Sequence, residues 1–104
     1  MSSDSPKTRG EVLEEIRVAT KRPPMFKVLL HNDDYTTMEF VVAVLQTVFH
    51  KSLPEATRIM LSVHNRGTGV AGVYSAEVAE TKIETVHAMA RADGFPLKCS
   101  MEPE

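Results

Sequence analysis

From residue 26 onward the apolar positions follow two different periods. Phe26, Val28 and Leu30 alternate with Lys27, Leu29 and His31, the two-residue repeat of a strand. Asn32, Asp33 and Asp34 then break the run with turn-forming side chains. Thr36 and Glu39 match a Thr-x-x-Glu capping box, which predicts a helix from about Thr37. Val41, Val44, Leu45 and Val48 follow at helical spacing. A second box, Ser52 and Glu55, has Pro54 in the first turn, where proline is tolerated. Its apolar stripe is Ala56, Ile59, Met60 and Val63, and Gly67 is a natural stop.

Val70 to Tyr74 predicts a second strand, with Gly69 and Gly72 suggesting a bend or a close backbone approach. A third helix should start around Ser75 to Glu77 and carry Ala79, Ile83, Val86 and Ala90 inward. Gly94 and Pro96 end it. In the last strand Leu97, Cys99 and Met101 alternate with Lys98, Ser100 and Glu102. The order is β-α-α-β-α-β. It predicts an α+β fold, a three-stranded antiparallel sheet packed on three helices.

Residues 1–24 have a different character. Ser2, Ser3, Asp4, Ser5 and Pro6 open the chain, and Lys21, Arg22, Pro23 and Pro24 close the segment. Between them Glu11 to Thr20 carries Val12, Leu13, Ile16 and Val18, enough for a transient helix. Such a stretch buries too little apolar surface to offset its ordering entropy, so residues 1–24 are expected to be a disordered arm and residues 25–104 the core domain.

Composition narrows the function classes. A chain of 104 residues suits one domain, and 42% hydrophobic with 25% charged residues is ordinary for a globular one. A formal net charge of −2 offers no electrostatic case for nucleic acid. No apolar run reaches membrane-spanning length, and no signal peptide is visible. The one cysteine, Cys99, excludes an internal disulfide and fits a reducing compartment, so a cytoplasmic location is expected; a monomer without a cofactor is expected besides.

Four groups of residues could carry chemistry. The turn Asn32-Asp33-Asp34 either shapes the chain and favours the following helix through its dipole, or offers acceptors to a cation such as an ammonium group. Met60, Val63 and His64 share one helix face, as core plus a dipole-stabilised histidine or as one wall of a site. A metal set of His31, Asp33, Asp34 and His64 lacks any recognisable ligand spacing. Glu77, Glu80 and Lys82 form a charge run that is either a solvated helix face or a docking patch. No nucleophile elbow, phosphate-binding loop or dinucleotide turn is present. Cys99 falls on the apolar side of its strand and reads as an inert core thiol, while His50 and His87 read as surface residues.

In this order and spacing, Phe26-Lys27-Val28-Leu29-Leu30, Asn32-Asp33-Asp34-Tyr35-Thr36, Met38-Glu39-Phe40-Val41, Val63-His64 and Glu77-Val78-Ala79-Glu80-Thr81-Lys82 resemble the ClpS adaptor family. The resemblance runs over roughly residues 24–102 and implies a recognition module, not an enzyme. It implies that Asn32, Asp33, Asp34 and His64 bind the free α-amine of a client protein. Thr36, Met38, Val41, Met60, Val63 and Leu97 would form the cavity for its first side chain, a bulky apolar Leu, Phe, Tyr or Trp. Glu77, Glu80 and Lys82 would dock on the N-terminal domain of a ClpA-type AAA+ unfoldase that works with the ClpP protease, and the arm would assist delivery. The family commonly has proline where this chain has Thr37, which bears on the tightness of the turn. The same element order also resembles the C-terminal domain of a ribosomal stalk protein, so a non-adaptor interaction domain is the alternative.

Overall fold

The alternation of residues 25–31 and the helical periods that follow are realised as β1 (Met25–His31), α1 (Met38–Thr47), α2 (Leu53–Arg66), β2 (Thr68–Ser75), α3 (Ala76–Asp93) and β3 (Lys98–Pro103) in a computed structural model that describes residues 6–13 and 23–104. The β-α-α-β-α-β order is as expected. Within the arm, residues 9–13 are helical, and Thr8 opens the turn by accepting from the Glu11 N–H at 3.1 Å. The rest of the proposed disordered arm lies outside the described residues, apart from 6–8 and 23–24.

The strands form an antiparallel sheet of order β2-β1-β3, with β1 in the centre. Leu30 stands opposite Gly69 on one side and Cys99 on the other. The β1–β2 register slips between Val28, which faces Gly72, and Leu29, which faces Val70. The extra residue is Ala71, a bulge whose side chain is fully buried.

The buried strand residues Val28, Leu30, Ala71 and Cys99 share the face that the helices cover. Helix α3 crosses all three strands, α2 packs on β2, and α1 packs on α2. Val44, Leu45, Ala56, Ile59, Ala79, Val86 and Ala90 complete the core. Val70 and Val73, on the opposite sheet face, are exposed. Gly69 explains how α2 comes so close to β2. A Cβ there would stand 2.8 Å from Val63 Cγ2 and 3.1 Å from the Ile59 carbonyl oxygen.

Three expectations are corrected. Helix α1 is capped by Thr37, not Thr36: the Thr37 hydroxyl accepts from the Phe40 N–H at 3.1 Å. Thr36 is unavailable because its hydroxyl donates to Asp33. Thr37 is therefore a cap outside the helix, and its side chain supplies a bond that proline could not make. At α2, Ser52 accepts from the Glu55 N–H as expected, but Glu55 closes no reciprocal box; it pairs with Arg58 at 2.6 Å. His87 is not a surface residue. It is half-buried and its Nε2 accepts from the Cys99 N–H at 3.0 Å, tying α3 to the edge of β3.

Candidate functional site

The polar turn between β1 and α1 is built around one carboxylate. Asp33 Oδ1 accepts from the N–H groups of Tyr35 and Thr36 at 2.8 and 2.7 Å, and Oδ2 accepts from the Thr36 hydroxyl at 2.7 Å. Partial burial alone would raise its pKa, but the two Thr36 bonds and the Tyr35 bond outweigh that and hold the carboxyl below its ordinary value. Asp33 thus organises the turn while staying ionised near neutrality. Only part of Oδ2's accepting capacity is left for a ligand. Asn32 and Asp34 flank it, both exposed.

The turn is fastened to the end of α2. The Asn32 N–H donates to the Gly67 carbonyl at 2.9 Å. Gly67 ends α2 in the left-handed region, at φ 91°, and its own N–H returns to the Val63 carbonyl at 3.0 Å. This bond sets the last turn of α2, with Val63 and the exposed His64, beside the turn that carries the carboxylates.

Between them lies a cavity of about 270 Å³. Its polar side is Asn32, Asp33, Asp34 and His64. Its remaining walls are Thr36, Met38 and Val41 from the turn and α1, and Met60 and Val63 from α2. Every lining residue is one singled out from the sequence. Leu97 is the exception in the other direction: it is 3% exposed, part of the core, and does not line the cavity. An acceptor-rich end joined to an apolar well can take a small molecule or chain end that carries a cation beside a hydrocarbon group.

His31, considered above with a metal set, is turned elsewhere. Its Nε2 lies 2.6 Å from Ser100 Oγ, and it is not among the lining residues. Among the described residues no cluster of three or more His, Cys, Asp or Glu is arranged to hold a metal ion. Cys99 is buried, and burial pushes its thiol up to about 12, so it is protonated and unreactive at neutral pH.

The charge run on α3 is more varied than its sequence suggests. Glu77 and Glu80 are exposed, and Glu77 joins Val78, Thr81 and Lys82 around a shallow depression. Lys82, however, is half-buried. Its ammonium donates to the Val48 carbonyl at 2.7 Å and lies over the rings of Phe49 and Tyr74, 5.7 and 5.1 Å from their centroids. Among the described residues, no helix is long and apolar enough to cross a membrane.

Known proteins resemble this chain in sequence and fold. The family model described as "ATP-dependent Clp protease adaptor protein ClpS" matches residues 21–100. The ATP-dependent Clp protease adapter protein ClpS of Desulfatibacillum aliphaticivorans is 78% identical over 104 residues, covering 100% of both chains. Its namesake in Oleidesulfovibrio alaskensis is 59% identical over 102 residues, 98% of each chain. Among solved structures, Agrobacterium tumefaciens ClpS2 bound to L-phenylalaninamide is 42% identical with a TM-score of 0.77, covering 80% of this chain and 100% of that one. The chain therefore belongs to the ClpS family, adaptors of the ATP-dependent Clp protease and not enzymes.

Proposed function

We propose that the cavity between the Asn32–Asp34 turn and the end of α2 receives the free N-terminus of a client protein whose first residue is Leu, Phe, Tyr or Trp. The observation that carries this reading is the junction of an acceptor-rich end and a Met- and Val-lined well in one cavity of about 270 Å³. An α-amine, with an ordinary pKa of about 7.7–8.0, is largely charged near neutrality and needs acceptors if it is to leave water. Asn32, Asp34 and His64, with the free capacity of Asp33, supply them. Met38, Val41, Met60 and Val63 suit an unbranched or aromatic side chain, and thioethers adapt to several shapes. The related A. tumefaciens protein binds L-phenylalaninamide, which joins an α-amine to a benzyl side chain.

Delivery completes the proposal. Glu77, Glu80 and Lys82 on α3 dock on the N-terminal domain of a ClpA-type unfoldase, with the exposed Val78 between them adding apolar contact. Residues 1–24 act as the arm that assists transfer, the folded unit begins at residue 25, and the adaptor works as a cytoplasmic monomer. Binding of a Leu-initiated peptide with a free or an acetylated N-terminus tests the recognition step. Acetylation removes the charge and leaves acceptors unpaired, at a cost of roughly 1.5–3 kcal/mol or more. Equal affinity for the two peptides would rule the amine pocket out.

A further inference from the structure

Next to the cavity, an open groove runs along α1 and α2. Met38, Val42 and Ala43 line it from one helix, Leu53 and Met60 from the other, and Glu39 is the one charged residue among its lining residues. It encloses about 430 Å³, against about 270 Å³ for the cavity. Leu53 is 58% exposed and Met38 41%, so the groove holds apolar surface that the fold leaves uncovered.

The groove and the cavity are continuous in one respect: Met38 and Met60 line both. These two side chains are the partition between them. An extended peptide turns alternate side chains to the same side, about 6.4–6.8 Å apart, while the intervening one points away. A client that places its first side chain in the cavity and runs on across Met38 and Met60 aims its third at the groove, one partition further on.

We propose that the α1–α2 groove takes the third side chain of the client and favours an apolar one there, the second residue facing solvent. This rests on the reading of the cavity as the first-residue pocket. It extends recognition from the terminal residue to a first-and-third pattern.

The test uses the full chain and fluorescence anisotropy with free-amine peptides of one length. One set varies the first residue, a second varies the second, and a third places Ala, Leu, Phe or Glu third after Leu-Ala. Leu or Phe at the third position should tighten binding roughly three- to tenfold over Ala, since an open groove buries only part of the side chain. Changes at the second position should matter less. Ala43→Glu lies at an exposed helix position outside the cavity and should abolish the third-residue gain while leaving the Leu-Ala-Ala peptide unaffected. Leu53→Ala, also exposed, should reduce the gain. If the first residue matters but the third does not, the groove proposal is overturned and the pocket stands. If the first residue does not matter, the pocket reading falls and takes the groove with it. Should Ala43→Glu leave the third-residue gain intact and weaken unfoldase association or change the sedimentation mass, the groove serves a different partner and the proposal is wrong.

Discussion

The ammonium of Lys82 donates to the carbonyl of Val48 at 2.7 Å, so a residue in the charge run of α3 caps the C-terminal end of α1, 34 positions earlier. The carbonyls that end a helix lack partners and carry partial negative charge, which a cation satisfies. Replacing Lys82 with Ala should destabilise the fold by roughly 1.5–3 kcal/mol, the usual range for a hydrogen bond to a charged group. Lys82→Met keeps an unbranched side chain and loses the ammonium, with both its bond to Val48 and its contacts over Phe49 and Tyr74, so it separates the charge from the packing of the stem. Urea unfolding of both, beside exposed Glu80→Ala, measures the difference. A Lys82→Ala protein as stable as Glu80→Ala would show that the cap is idle. It follows that Glu77 and Glu80 are the clean positions for probing unfoldase docking, because loss of Lys82 confounds docking with stability.

Gly69 should tolerate no side chain. The new Cβ of Gly69→Ala would meet Val63 Cγ2 at 2.8 Å and the Ile59 carbonyl at 3.1 Å, and a helix carbonyl cannot step aside as a flexible side chain can. Overpacking of this kind costs about 1–3 kcal/mol. Because Val63 also walls the cavity, peptide affinity should fall along with the unfolding midpoint. Unaltered stability in the variant would mean that β2 and α2 separate easily.

Asp33 predicts a pH dependence with a definite sign. Despite partial burial, the bonds from Thr36 and Tyr35 hold its carboxyl below its ordinary value in the folded chain, so the ionised form favours folding. That stability is fully present above the ordinary carboxylate range and is lost as pH falls through the lower, folded value. Asp33→Asn keeps an acceptor for Tyr35 and Thr36 but removes the charge and the acceptor for the Thr36 hydroxyl. The variant should be less stable by about 1 kcal/mol at neutral pH, and the gap should close as pH falls through the lowered pKa of the folded Asp33. A gap that stayed constant across that range would assign the effect to shape, not charge.

The elements themselves were legible because their signals are local. Gly67 stops α2 in the left-handed region as its position suggested, and Ser52 caps the same helix. The choice between Thr36 and Thr37 was not legible. Both are good caps, and only the folded turn, where Asp33 captures the Thr36 hydroxyl, leaves Thr37 free for Phe40. His87 was misread, and the Val48 partner of Lys82 was missed, for a related reason. Their partners, Val48 and Cys99, lie 34 and 12 residues away, and a helix pattern says which face a residue occupies but not what will meet it. The residues around the cavity were found through resemblance. Periodicity alone does not choose between core and site wall for Met60 and Val63, or between turn and cation site for Asn32 to Asp34.

Met38 should set the shape limit of the cavity. It is the first residue of α1, held in place by the Thr37 cap, and it stands between the cavity and the groove beside it. A β-branched first residue carries bulk next to its own backbone, where such a wall would press on it. Overlap of even one methyl group in a packed site costs on the order of 1–3 kcal/mol, so Leu, Phe, Tyr and Trp should enter while Ile and Val are refused. Met38→Ala removes most of the partition and lets the two spaces merge. Met38 is 41% exposed, so the substitution should cost the fold little. Ile- and Val-initiated peptides should then gain relative to Leu, and Leu itself should weaken because nothing takes the place of the Met38 thioether against it. Competition titrations of Leu-, Ile-, Val- and Phe-initiated peptides against wild type and Met38→Ala read the ratio directly. An unchanged Ile-to-Leu ratio would move the discrimination to the facing wall, where Met60 is the next residue to cut back.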